Sequence, residues 1–280
     1  MINLPIAATT REEYISLPGL NYSGMKWLLI SPAHYQASLV EETKSTKALR
    51  VGDMIHKRVL QPNVFSNFVK EPDIKKNSKE GKEAYAAFIA KLPPNAVLAD
   101  PEEYDEALEV GNRMNLLLET KGVKNFQSEV MLTTLEDGVP LKCSIDLVWE
   151  DNDGIWLGDL KSAESASPRG FKDAVKQYKY YLQNFSYLRI FELATGIKPK
   201  GFKFFAMEKK NPYASGVYQL GAYFMSYAVR DYYYCLKTYK ACSELDSWPA
   251  YDLNDVTIDD EPRSSFTQPN LTSNETQINA

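Results

Sequence analysis

Two aspartates and a lysine stand close together in the run CSIDLVWEDNDGIWLGDLKSA, and their types and spacing suit hydrolytic chemistry at a hard cation. Asp146 falls near the middle of one apolar, β-branched run, while Asp159 and Lys161 end the next. Residues i and i+2 of a strand share a face, so Asp159 and Lys161 project together and Leu160 points into the core. Pairing of the two runs as a hairpin can bring Asp146 beside them. Two carboxylates at the end of a sheet form an oxygen site for Mg²⁺ or Mn²⁺, and a lysine alongside can orient a water or steady an incoming negative charge. An isolated D-x-K is more often a surface ion pair. Here both acids lie inside apolar strands, where a charge is costly unless paired or bound to a metal, and Asp is a poor strand former.

Four further residues are candidates for the same site. Gln177 and Tyr181, in QYKYYLQ, are four apart on a predicted helix and share one face; in a chain with 18 tyrosines they could equally be ordinary boundary residues. His56, one of two histidines, follows Gly52 in an earlier predicted helix and is either a metal ligand or a satisfied structural imidazole. Glu129, in FQSEVML, either completes a metal shell or forms an exposed strand end. His34, in Ser-Pro-Ala-His, is read as structural.

The elements that must position these residues follow from periodicity and punctuation. Helical spacing covers residues 22–36, interrupted at Ser31-Pro32, then 46–60, 78–92 and 101–119, the last opening on Pro-Glu-Glu. The period then changes. Residues 128–135, 141–150 and 155–160 read as three short strands joined by Glu136-Asp137-Gly138 and Asp151-Asn152-Asp153-Gly154, an antiparallel meander. One long helix is predicted from Pro168 to about Thr195, a buried strand over 201–208, and a tyrosine-rich helix over 217–242. This order predicts a mixed α/β domain over residues 1–245, with a helical part over about 20–120 and a core over about 121–245. Residues 246–280 read as an acidic, disordered tail.

Bulk properties exclude several classes. The 280 residues are 44% hydrophobic and 25% charged, an ordinary globular composition. No run approaches the roughly 20 apolar residues of a membrane span, and MINLPIAATTREEY lacks a signal pattern, so neither membrane residence nor export is expected. Three cysteines without CxxC spacing argue against a disulfide framework or a four-cysteine cluster and for the reducing cytoplasm. The chain shows no internal repeat, P-loop or GxGxxG. The net charge of -5 resides in residues 251–280, which hold six acids and one base; the rest of the chain is neutral, with 31 of each sign. Its bases cluster at Lys75, Lys76, Lys79 and Lys82, at Lys172, Lys176 and Lys179, and at Lys198, Lys200, Lys203, Lys209 and Lys210. Such runs are either phosphate contacts or solvated faces.

The ordered set Glu129, Asp146, Asp159-Leu160-Lys161 and Gln177-x-x-x-Tyr181 resembles the PD-(D/E)XK nuclease superfamily. With Gly52-x-x-x-His56 before it, the set is similar to the branch that contains RecB-type nuclease domains and the RecE exonuclease. The stretches GMKWLLISPAHYQ, ALRVGDMIHKRVLQPNVF and SKEGKEAYAAF also look like the opening of RecE-type domains, often encoded by phages, and the likeness runs from about Leu20 to Tyr239. It implies a restriction-endonuclease-like fold, with a mixed central sheet flanked by helices and a helical N-terminal portion. It further implies Asp146 and Asp159 as metal carboxylates, with His56 and the Leu160 carbonyl completing the shell and Glu129 matching only loosely. Lys161 becomes the catalytic lysine, and Gln177 and Tyr181 border the site and contact DNA. The implied activity is Mg²⁺-dependent (Mn²⁺ also serving) digestion of linear double-stranded DNA from its ends, 5′ to 3′, leaving a single strand for a RecT-like annealing recombinase. A ring-like homo-oligomer is implied as well. An endonuclease on the same scaffold, or a DNA-binding or assembly protein with a vestigial site, are the competing readings.

Overall fold

The computed structural model describes residues 3–41 and 45–251. Its elements, in chain order, begin with α1 (Arg11–Ser16), α2 (Tyr22–Leu28), α3 (Pro32–Ser38), α4 (Lys47–Leu60), α5 (Pro62–Phe65), β1 (Phe68–Lys70), α6 (Lys79–Ile89), β2 (Val97–Ala99) and α7 (Pro101–Thr120). There follow β3 (Gln127–Glu136), β4 (Val139–Asp151), β5 (Gly154–Ala163), α8 (Pro168–Tyr178), α9 (Tyr180–Thr195), β6 (Gly201–Glu208), β7 (Ser215–Tyr218) and α10 (Ala222–Leu245). The acidic tail predicted beyond residue 246 lies, from residue 252 onward, outside the described residues. Among the described residues no helix is long and apolar enough to cross a membrane.

The predicted meander forms as β3–β4–β5, and the sheet continues through β6 to β7. All neighbours are antiparallel except β5 and β6, which run parallel with Asp159 beside Phe204 and Lys161 beside Ala206. A parallel pair needs a crossover, and α8 with α9 supplies it. The sheet is therefore mixed and flanked by helices, as the fold class requires. Its two faces carry separate cores. On one, Leu157, Phe202 and Phe204 pack with Leu182, Ile190 and Phe191 of α9 and Tyr232 of α10. On the other, Leu147, Trp149, Leu160 and Phe205 pack with Met54 and Ile55 of α4 and Val110 and Met114 of α7. Each such side chain contributes about 1.5–3 kcal/mol through removal from water.

Local chemistry explains the helices nearest the sheet. The Thr46 side chain caps α4 by accepting the Leu49 N–H, and Val51, Met54, Ile55 and Val59 then recur on the buried face. At Gly111 an added Cβ would lie 2.5 Å from Arg58 Cγ, so the crossing of α7 over α4 requires glycine there. The helix α9 is buried on nearly every side, which fits its place between the sheet and α10. Its Arg189 donates from Nε (2.9 Å) and Nη2 (2.6 Å) to Glu136 Oε1, and the Tyr232 hydroxyl donates to Oε2 at 2.5 Å, which joins β3, α9 and α10. On the outer side of β4, the buried Lys142 ammonium donates to the carbonyls of Tyr14 (3.1 Å), Ile15 (3.2 Å) and Leu17 (2.6 Å) and so anchors the C-terminal end of α1.

Two predicted boundaries are corrected. The final helix begins at Ala222 rather than Val217, because Val217 pairs with Phe205 as part of an edge strand. The helix predicted from Pro168 to Thr195 is broken at Lys179, whose backbone is left-handed (φ 57°, ψ 39°). A left-handed residue other than glycine costs about 1–2 kcal/mol. Lys179→Gly should therefore be tolerated, whereas Lys179→Val should lower unfolding free energy by about 1–2 kcal/mol in urea titrations. Equal stability of the two variants would contradict the strained break.

Candidate active site

The site forms where β4 and β5 part. Their ladder runs from Asp151↔Gly154 to Leu147↔Gly158 and stops; the next opposed positions are Asp146 and Asp159. In place of the missing ladder bond, Asp146 Oδ2 accepts the Leu160 N–H at 2.8 Å. The disturbance extends to β3. Glu129, opposite Asp146 and between the pairs Ser128↔Leu147 and Val130↔Ile145, has φ 51°. Facing changes at this level: Cys143 and Ile145 belong to the core under α9, but Leu147 and Trp149, at the same parity along β4, belong to the core under α4 and α7. The strands are thus re-aimed at the point where the acids sit, a common role of strand irregularities beside active sites.

The helix α4 closes one side of the opening. His56 Nε2 lies 3.1 Å from the Leu160 carbonyl oxygen, and its Nδ1 lies 3.6 Å from Asp146 Oδ2. Ligand atoms of His56, Glu129 and Asp146 all fall within 4.8 Å of one another, and the Ser144 hydroxyl donates to Glu129 Oε2 at 3.1 Å. Asp159 stands outside that trio, with both oxygens engaged. The Lys161 ammonium pairs with Oδ1, and Gln183 Nε2 donates to Oδ2 at 2.5 Å. Lys161 Nζ also rests over the Tyr180 ring, 4.6 Å from its centroid. His56, Glu129, Asp146, Leu160, Lys161 and Tyr180 line a cleft of about 880 Å³ whose wall also includes Thr9, Arg11 and Tyr14 of the N-terminal segment.

The structure thus brings together Asp146, Asp159, Lys161, His56, Glu129 and the Leu160 carbonyl, but not Gln177 or Tyr181. The break at Lys179 leaves Gln177 exposed at the end of α8. Tyr181 turns instead toward α10, where its hydroxyl donates to Asp231 Oδ2 at 3.0 Å. The places expected for them are taken by Gln183, on Asp159, and Tyr187, in the cleft wall. Gln183 and Tyr187 are also four apart and share a helical face. The same Gln-x-x-x-Tyr spacing occurs twice within eleven residues, and the signal that separates the copies is context: Gln183 is a polar residue in the apolar run YYLQNFSYLRIF of a buried helix.

Electrostatics give the cluster a need for positive charge. Asp146 and Asp159 are 7% and 3% exposed. Burial and then the neighbouring Asp159 push the Asp146 carboxyl up to about 7; Glu129 adds to the rise, and His56 and Lys161 oppose it. Burial pulls the Lys161 ammonium down, but Asp159, Tyr180 and Asp146 more than offset this and hold it above its ordinary value. Burial, followed by the charge of Asp159, raises the Tyr187 hydroxyl well above the ordinary phenol range and keeps it neutral. Buried carboxylates short of countercharge, an imidazole and a backbone carbonyl compose a donor set that fits a divalent cation.

A family model described as "PDDEXK-like domain of unknown function (DUF3799)" matches residues 21–255. The chain belongs to this family. As a PDDEXK-like domain it falls within the nuclease superfamily that its ordered acids and lysine resemble. Among solved structures it is similar to the crystal structure of a "putative exonuclease" from Eubacterium rectale, with a TM-score of 0.60, 16% identity, and coverage of 91% of this chain and 96% of the other. That likeness shows the fold. No curated protein matches the chain.

The raised Asp146 carboxyl sets a pH dependence. Its folded-state value lies above the ordinary 3.8, so its contribution to stability is complete below 3.8 and is lost as pH rises toward about 7. Melting temperature in EDTA should fall over that window, and Mg²⁺ or Mn²⁺ should restore it more at about pH 8 than at about pH 5, because metal and proton compete for the carboxylate. Asp146→Asn should flatten the metal-free slope; an unchanged slope in that variant would sink the assignment.

Proposed function

We propose that the protein is a metal-dependent DNA exonuclease that hydrolyses phosphodiester bonds from the ends of linear double-stranded DNA. The observation that carries this reading is the meeting of Asp146, Asp159 and Lys161 at the parting of β4 and β5, beside His56 and Glu129. The description of the Eubacterium rectale protein as an exonuclease supports the choice of end-directed cleavage. Digestion in the 5′ to 3′ direction, in recombination by strand annealing, is the finer form of the same reading.

Asp146, Glu129, His56 and the Leu160 carbonyl would hold Mg²⁺, or Mn²⁺ in its place, with Asp159 joining if it releases Lys161 or Gln183. When bound, the ion supplies Lewis-acid polarisation of a phosphate oxygen. The remaining work falls to the chain's own groups. Lys161, held by Asp159 and by the Tyr180 face, presents an N–H donor to the attacking water and positive charge to the phosphate as negative charge builds on it. Gln183 fixes Asp159, and through it the position of Lys161, so the ammonium is oriented before substrate arrives. Residues of α4 and of the N-terminal segment form walls of the cleft in which these groups act.

Purified protein should degrade end-labelled linear duplex with Mg²⁺, stop with EDTA and leave a closed circle intact. Lys161→Ala should lower the rate by about a hundredfold or more. Gln183→Ala should lower kcat by about tenfold or more, whereas Gln177→Ala should stay within about twofold of wild type. Full activity in Lys161→Ala, or a larger loss in Gln177→Ala than in Gln183→Ala, would overturn the assignment.

A further inference from the structure

The break between α8 and α9 does more than displace Gln177. In a continuous helix, residues i and i+2 point to nearly opposite sides and cannot touch. Here the left-handed Lys179 folds Tyr178 and Tyr180 onto each other, with ring centroids 5.5 Å apart and planes 27° apart. Tyr180 lines the catalytic cleft, and Lys161 Nζ lies over its ring. Tyr178 is 47% exposed, although its neighbour's ring covers one of its faces. The Tyr22 hydroxyl donates to the Tyr178 carbonyl, which ties the junction to α2 and holds the stacked pair in place. The turn thus presents an aromatic ring with one face against a cleft residue and much of its surface in water.

We propose that Tyr178, stacked on Tyr180, is a platform for an unpaired nucleobase of the strand held in the cleft. The inference rests on the nuclease reading and deepens it by naming the form of the substrate. In intact duplex the base faces are covered by their neighbours, so an exposed ring can stack only on a base freed at an end or in a single strand. Placement agrees: Lys161 Nζ lies 4.6 Å from the Tyr180 ring centroid, and that ring stacks on Tyr178 at 5.5 Å, so Tyr180 links the catalytic lysine to the exposed ring. Charge agrees as well. Lys172 and Lys176 are exposed on α8, Lys179 forms the break, and no ion pair for these three is found among the described residues. In the basic cluster at residues 75–82, Lys76 pairs with Glu71 at 2.6 Å and Lys79 with Glu83 at 4.0 Å, while Lys75 and Lys82, like Lys198, Lys200, Lys209 and Lys210 of the last cluster, also show no ion pair among the described residues. In the cluster at 198–210, Lys203 lies over Trp156 at 3.9 Å. What distinguishes the α8 cluster is its place: α8 ends at Tyr178, so its lysines can follow a phosphate backbone toward the stacked rings.

The test measures binding of the full chain to a single-stranded oligothymidylate, with Ca²⁺ replacing Mg²⁺ so that binding is read apart from cleavage. Tyr178→Ala should weaken binding by about tenfold, and Tyr178→Phe, which keeps the ring, should bind as wild type. A series of strands with one abasic nucleotide at successive positions should show one position whose loss weakens wild type by a similar factor and leaves Tyr178→Ala unaffected. Melting curves of both variants should match wild type, since the side chain is half in solvent. Equal binding of Tyr178→Ala and wild type, additive losses at every abasic position, or failure of wild type to bind the single strand would each overturn the platform. Absence of metal-dependent cleavage with the Tyr178 effect intact would instead overturn the nuclease reading alone.

Discussion

The parting of β4 and β5 at Asp146 and Asp159 is the constraint from which the rest of the site follows. A continued ladder would satisfy the Leu160 N–H with a backbone carbonyl and would aim the two carboxylates as neighbouring side chains of a regular sheet. Because Asp146 takes the N–H instead, the Leu160 carbonyl is left for His56, and Asp146 lines the cleft that opens there while Asp159 is held by Lys161 and Gln183. Everything packed around that opening holds it: α4 from one side through His56, α9 from the other through Gln183, and β6 beneath through its parallel pairing with Asp159 and Lys161.

Such an opening is electrostatically expensive. Two nearly buried carboxylates with a third close by cannot all be ionised at low cost, and Lys161 offsets only part of the charge. The cost is borne by the packing elsewhere, since both faces of the sheet carry full apolar cores that do not depend on the site. A polar centre set between two independent cores can be strained without loosening the fold. The same division explains why the acids can sit inside apolar strands at all.

Much of this was legible in the chain. The strands were readable because apolar alternation and the Gly-containing turns coincide at 136–138 and 151–154, and the i, i+2 relation of Asp159 to Lys161 survives folding unchanged. His56 was legible only through the resemblance carried by Gly52-x-x-x-His56, since its helix position left a structural imidazole open. What could not be read was conformational. Lys179 is neither Gly nor Pro, so nothing local announces its left-handed backbone, and an unbroken helix phase selects the wrong copy of a repeated Gln-x-x-x-Tyr spacing. The edge strand β7 was hidden for a related reason: its four residues run up to the start of a long helix, and only pairing with β6 distinguishes them from it. The little helix α1 announces its start by a capping box, Thr10 with Glu13, but six residues are too few for a periodic pattern, and its C-terminal end is held by tertiary hydrogen bonds from Lys142.

That last contact has a consequence for how the molecule is assembled. The anchoring ammonium lies 128 positions beyond Tyr14 in the chain. Residues 9–14, which help to wall the cleft, dock on β3 and β4, strands that lie far along the chain from them. Closing so long a loop adds entropic cost and slows formation of the contact, so this wall is set late. The cleft therefore gains this wall only after the strands that carry its acids have paired, although the wall's residues come before them in the chain.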